Sequence, residues 1–179
     1  DARRAAARAV EPNEAHRALA RLQQARGDVL IVTQNVDTLH ERAGASRLIH
    51  LHGTLDGALC ARCGHRWHWA GEIMTGADPC AGCRRPGGVR PDVVWFGEMP
   101  YRLDDVAEAV EACALFVSIG TSGAVYPAAG LVEVAREGGA DTLELNLEPS
   151  AGSHRFHESR LGKASAIVPA WVEEVMKRG

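Results

Sequence analysis

Short apolar runs alternate with amphipathic stretches along most of this chain. Positions 2–10 read as a helix, broken at Glu11-Pro12-Asn13, where Asn13 is a candidate N-cap. Ala15, Leu19 and Leu22 recur at helical spacing over 14–26, and Gly27 ends that helix. Val29-Leu30-Ile31-Val32-Thr33 is a short continuous apolar run with β-branching, the signature of a strand buried on both faces, and 48–51 is a second short strand. After residue 97 the alternation returns. It predicts a helix over 103–113, a strand over 115–119, a helix over 127–137 and a strand over 142–146. A last strand is expected at 166–168, with Pro169 opening a terminal helix over 170–178. Strands alternating with helices give an α/β class, a Rossmann-like parallel sheet flanked by helices.

Residues 54–97 break the pattern. Their apolar periodicity is poor, and four cysteines, three prolines and three tryptophans crowd the segment. Cys60 and Cys63 form one C-x-x-C pair, Cys80 and Cys83 another, sixteen residues apart. That is zinc-ribbon spacing, and two such knuckles complete a closed tetrahedral S4 shell for one structural zinc ion. A metal can replace the core that the segment lacks. The expected organisation is therefore a zinc-binding small module at 54–97 inserted in a Rossmann-like domain at 1–53 and 98–179. A disulfide framework is the competing reading of the cysteines. Cys113 sits in an apolar helix and reads as core.

Net charge is −3, with basic residues spread along the chain, so no broad basic field favours nucleic acid. No apolar run approaches the length of a membrane span, and there is no signal-peptide pattern. Thiols at zinc spacing suggest a reducing, cytoplasmic setting, and a monomer is expected.

Ligands in such a fold bind beyond the carboxyl ends of the strands. Each strand here runs into polar residues: Thr33-Gln34-Asn35-Val36-Asp37, then His50-Leu51-His52-Gly53, then Gly120-Thr121-Ser122-Gly123, then Asn146-Leu147-Glu148-Pro149. The 120–123 turn offers hydroxyls and backbone N–H groups suited to phosphate or ribose oxygens, or is an ordinary strand-to-helix turn. Asn146 to Glu148 suit ribose hydroxyls, or a turn with a helix cap. His52, followed by Gly53, is a candidate acid–base group, although a lone histidine is more often structural. His50 lies two residues earlier and would share its face in a strand, so alternation leaves open which histidine acts.

Taken in order, Thr33-Gln34-Asn35-Val36-Asp37, His50-x-His52-Gly53, the paired cysteine knuckles and Gly120-Thr121-Ser122 make the chain resemble a sirtuin. Sirtuins are NAD-dependent protein-lysine deacylases. Pro12-Asn13-Glu14-Ala15-His16 and Val93-Val94-Trp95-Phe96-Gly97-Glu98 carry the same resemblance. Val125-Tyr126-Pro127-Ala128-Ala129-Gly130 and Glu144-Leu145-Asn146-Leu147-Glu148-Pro149-Ser150 resemble the bacterial class III branch, which removes succinyl and malonyl groups as well as acetyl.

The resemblance implies specific roles. Gln34, Asn35, Val36 and Asp37 would line the nicotinamide and ribose pocket of NAD. His52 would be the general base on a ribose hydroxyl. Gly120, Thr121 and Ser122 would contact the dinucleotide, Asn146, Leu147 and Glu148 the adenosine ribose, and Ala164 the adenine. Val94, Trp95, Phe96 and Gly97 would pair in extended form with acyl-lysine protein substrates. Cys60, Cys63, Cys80 and Cys83 would bind zinc. The products would be nicotinamide and an O-acyl-ADP-ribose. The alternatives are a mono-ADP-ribosyltransferase and a non-catalytic zinc-ribbon binding module. The resemblance also places a first strand, a G-A-G-x-S pyrophosphate loop and the acyl-selecting Tyr and Arg ahead of residue 1, so the chain reads as truncated and the expected enzyme is the parent protein.

Overall fold

The computed structural model describes residues 2–69, 71, 74, 75 and 77–178. The chain divides into two compact units: residues 1–12 with 30–102, and residues 13–29 with 103–179.

In the first unit, α1 (Ala2–Ala9) precedes β1 (Ile31–Thr33), α3 (Leu39–Arg42) and β2 (Leu48–His50). β1 and β2 pair in parallel, with Thr33 opposite His50. The expected strand over 29–33 shortens to its β-branched end. The chain then enters an antiparallel sheet with strand order β4-β3-β5: β3 (Gly53–Cys60), β4 (Arg66–His68) and β5 (Val89–Val93). Ala58, Cys60, Cys80 and Val89 form its small core, with Trp67, Trp69, Met74 and Cys83 packed around them. A core of this size holds few apolar side chains, which is why no hydrophobic period shows in the sequence.

Gly53 opens β3 at φ +76°, and a Cβ there would run into the Asp92 backbone on β5. Glycine is needed for this backbone approach, where the sequence suggested room beside His52.

In the second unit, α2 (Glu14–Arg26) begins at Asn13, whose side chain accepts from the Ala15 and His16 N–H groups, and closes at Gly27 in the left-handed region. α4 (Leu103–Glu111), β6 (Leu115–Ile119), α5 (Leu131–Glu137), β7 (Asp141–Asn146), β8 (Glu158–Leu161) and α6 (Ala164–Arg178) follow. The sheet is parallel in the order β6-β7-β8. Its principal core joins Ala15, Ala18 and Leu22 of α2 to Leu143 and Leu145 of β7 and Val168, Trp171 and Val172 of α6. The 3–4 spacing on both helices supplies this apolar face.

Two expectations fail here. The 127–137 helix is a 3-10 turn (Ala128–Gly130) followed by α5. Residues 166–168 are helical, not a strand. Lys163 precedes α6, its carbonyl accepting from the Ala166 and Ile167 N–H groups, and Pro169 lies in the second turn of the helix. A proline there removes one intrahelical hydrogen bond, and the packing of Val168, Trp171 and Val172 outweighs that loss. The real last strand, β8, pairs on one side only, so it carries polar residues rather than an apolar run. Among the described residues no helix is long and apolar enough to cross a membrane.

Candidate functional site

Four successive carbonyls of the loop leaving β1 are each held by a donor from the segment around β2 and β3. Thr33 O accepts from Leu51 N–H at 2.9 Å and Val36 O from Leu55 N–H at 2.8 Å. Gln34 O faces His52 Nδ1 at 3.1 Å, and Asn35 O faces His50 Nδ1 at 3.2 Å. The loop is shaped further by the Asn35 N–H on Thr33 Oγ1 and by Asp37, whose carboxylate accepts the Leu39 N–H at the start of α3. With its carbonyls occupied, the loop has the Gln34, Asn35 and Asp37 side chains left for a polar ligand.

The two histidines differ in what their rings face. A carbonyl can only accept, so His52 carries its proton at Nδ1, and its Nε2 has no partner among the described residues. That leaves one ring nitrogen of His52 open. His50 Nε2 instead meets Glu41 Oε1 at 2.7 Å. Burial disfavours the charged ring, but the Glu41 carboxylate, the Asn35 carbonyl and Asp37 outweigh it and raise the His50 pKa. Burial likewise works against ionised Glu41, and the His50 hydrogen bond overrides it and lowers the carboxyl pKa. Sequence alternation left the choice between the histidines open; the partners separate them, because β2 ends at His50 and His52 lies in the following turn.

The Val94-Trp95-Phe96-Gly97 segment meets this region through the Val94 N–H, which donates to His52 O at 2.9 Å. The segment is not extended as the resemblance implied. Trp95 O accepts the Glu98 N–H, Gly97 is left-handed at φ +89°, and the Glu98 carboxylate takes the Trp95 N–H at 2.9 Å. Arg90 adds an ion pair to Glu98 at 2.7 Å and lies 4.3 Å over the Trp95 ring. The Trp95 N–H, against burial and with help from Arg90, lowers the Glu98 pKa. Phe96 and Met99 stand out in solvent.

The metal centre follows from two matched knuckles. In each, the residue after the second cysteine turns left-handed, Gly64 at φ +72° and Arg84 at φ +62°, and its N–H donates to the carbonyl of the first cysteine at 2.9 Å. Cys60–Cys83 and Cys63–Cys80 sulfur separations are 3.9 and 3.7 Å, and all four sulfurs lie within 4.8 Å of one another. A tetrahedron with Zn–S bonds of about 2.3 Å has edges of about 3.8 Å. The four cysteines are therefore positioned to hold one zinc ion. Burial works to raise the Cys60 thiol, but the Arg62 and Cys63 N–H groups and the neighbouring thiols outweigh it and bring it down to about 7.

The second unit presents its own polar strand ends. Gly120 is left-handed and donates to Leu145 O. The Thr121 and Ser122 hydroxyls accept from the Gly123 and Ala124 N–H groups, closing two tight turns. No helix starts there; the 3-10 turn begins only at Ala128. Asn146 Nδ2 donates to Thr121 O at 2.7 Å, tying the two strand ends together, while Leu147 and Glu148 stay exposed. Ala164 is half-buried at the start of α6, against the core.

Sequence reasoning missed Glu144. It is 1% exposed on β7, and its Oε2 accepts from the Ser153 and Ser159 hydroxyls. Burial opposes its charge, and hydrogen bonds from Ser150, Ser153 and Ser159 overcome it and lower the pKa. A charged residue inside an apolar strand run was the available signal.

A model of the Sir2 family matches residues 1–127. The chain is 50% identical over 171 residues to an NAD-dependent protein deacylase of Leishmania major, covering 94% of this chain and 70% of that protein. It is 49% identical to an NAD-dependent protein deacylase of Caulobacter vibrioides, covering 99% and 76%. The Escherichia coli K12 relative of the same name is 50% identical, and this chain spans 60% of its length. Among solved structures, a Sir2 homologue in complex with NAD superposes with a TM-score of 0.85 at 35% identity, covering 94% of this chain and 66% of that one. Sir2Af2 bound to a myristoylated histone peptide gives 0.79 at 36% identity, covering 94% and 74%.

Proposed function

The chain belongs to the Sir2 family, and from that premise we propose that it serves the NAD-dependent removal of acyl groups from protein lysine side chains. The observation that carries this reading is the pairing of a fixed loop with an open base. The Gln34 carbonyl holds His52 by Nδ1, and Nε2 is left to take a proton. The names of the relatives and the acylated peptide bound by Sir2Af2 support the same substrate class.

The residues present suit NAD. Gln34, Asn35 and Asp37 would hold the nicotinamide-ribose end, Gly120, Thr121 and Ser122 the dinucleotide, and Asn146, Leu147 and Glu148 the adenosine ribose, with Ala164 at the adenine. When bound, NAD supplies an activated ribose carbon as acceptor for the acyl oxygen. The protein orients both reactants, and His52 Nε2 accepts a proton from a ribose hydroxyl. Val94 and the Trp95-Phe96-Gly97 turn would receive the substrate peptide, with Phe96 and Met99 giving it apolar surface. The zinc centre supports the module and takes no part in proton transfer, since its four positions are filled by thiolates.

Acidic acyl groups such as succinyl and malonyl belong to the proposal on the strength of the 125–130 and 144–150 stretches. Action as a monomer in the cytoplasm belongs to it on the strength of thiol ligands that persist in a reducing compartment. The test is release of nicotinamide from NAD, coupled one-to-one to loss of the acyl group from acetyl- and succinyl-lysine peptides. ADP-ribose carried onto protein instead would replace deacylation by ADP-ribosyl transfer.

A further inference from the structure

Both ring nitrogens of His50 face acceptors: the Asn35 carbonyl at Nδ1 and the Glu41 carboxylate at Nε2. Neither can donate when Glu41 is ionised, so the contacts are both satisfied only by an imidazolium. The His50 side chain is 13% exposed, while its partner Glu41 is 40% exposed. Nothing assigned to the reaction uses this charge. Two positions away, His52 makes the same kind of contact to the preceding carbonyl with its other nitrogen open. One histidine therefore has a ring nitrogen available, and the other has both engaged by acceptors.

We propose that His50, kept as an imidazolium by Glu41, is a positioning residue that fixes the Asn35 carbonyl and thereby the loop presenting Gln34, Asn35 and Asp37. This rests on the reading that the loop receives the nicotinamide-ribose end of NAD. Leu51 and Leu55 N–H groups do not titrate, whereas the Asn35 carbonyl is held by a ring whose second nitrogen is engaged by a carboxylate. The charged and titratable groups facing His50 are Glu41 on α3 and Asp37 ahead of it, with His40 beside Glu41. From β1 the residue opposite His50 is Thr33, which is uncharged. Because this pairing raises the His50 pKa, the clamp is complete at lower pH and is lost as pH rises through the folded value.

The experiment compares wild type, His50→Gln and Glu41→Gln in two ways. First, long-range proton–nitrogen NMR of the histidine rings, with hydrogen exchange at the Asn35 and Val36 amides, reads the clamp without any reaction. His50 should keep protons on both nitrogens to a higher pH than a free imidazole, and His52 should carry a proton at Nδ1. Glu41→Gln should lower the pH at which His50 deprotonates and speed exchange of the loop amides. Second, in the full-length protein, Glu41→Gln should raise KM for NAD about tenfold at pH 8, the value of one charge-assisted hydrogen bond, with kcat within about twofold. Acidification to pH 6 should recover much of that loss. A His50 ring that deprotonates no later than a free imidazole, or loop exchange and KM unchanged in both variants, would overturn the proposal. Wild type that consumes no NAD would refute the proposed function, and the NMR arm would still decide the clamp.

Discussion

His52 reaches the carbonyl oxygen of Gln34 through Nδ1 at 3.1 Å, and this contact places a proton on Nδ1 and is one of four that hold the loop. If Nε2 is the base, His52→Ala should cut turnover by about 10²–10⁴-fold, the usual worth of a positioned acid–base group. The melting temperature should stay close to wild type, and NAD affinity should fall by no more than about tenfold, the worth of one loop contact. Steady-state kinetics beside calorimetric NAD titration checks this. Turnover retained at wild-type level would move the base elsewhere.

Cys60 is fully buried at the end of β3, the middle strand of its sheet, and is one of the four clustered cysteines. Cys60→Ser should lose stoichiometric zinc and unfold the segment 54–97, because metal binding there is folding free energy. Metal analysis with NMR of the Trp67 and Trp69 signals reads both effects. Full zinc occupancy with unchanged spectra would contradict the structural role.

Gly53→Ala should destabilise the protein by about 1–3 kcal/mol from the left-handed backbone alone, with the clash against Asp92 adding to it. The denaturant midpoint should fall accordingly. Gly64→Ala is the control: it shares the left-handed φ but has open space around its Cβ, so its loss should be smaller.

Glu144 ties β7 to the Ser150 and Ser153 turn through buried hydrogen bonds. Its carboxyl pKa is lowered on folding, so its stabilisation is present above the unfolded value and disappears as pH falls through the folded one. Glu144→Gln should be less stable at neutral pH and show a flatter loss of stability on acidification. Denaturation midpoints between pH 7 and pH 3 measure both slopes.

What the sequence revealed follows from which contacts are local. Asn13 and Gly27 bound α2 because capping needs only neighbouring residues. The cysteine knuckles were legible because ligand spacing is written in the chain. β8 was missed because a strand paired on one side needs no apolar run, and residues 166–168 were misread because β-branching looks alike in a buried strand and a buried helix. The turn at residues 95–98 depends on Glu98 and Arg90 meeting Trp95 across the chain reversal, and no local pattern announces that. Likewise the roles of His50 and His52 separate only through Glu41 and Gln34, nine and eighteen residues away in sequence.

The most direct test of the central claim is mass spectrometry of acetyl- and succinyl-lysine peptides incubated with NAD and the full-length protein, wild type against His52→Ala. The proposal predicts free lysine, nicotinamide and an O-acyl-ADP-ribose in equal amounts from wild type, and almost none from the variant. Acyl peptides left intact by wild type, or cleaved equally by both proteins, would contradict it.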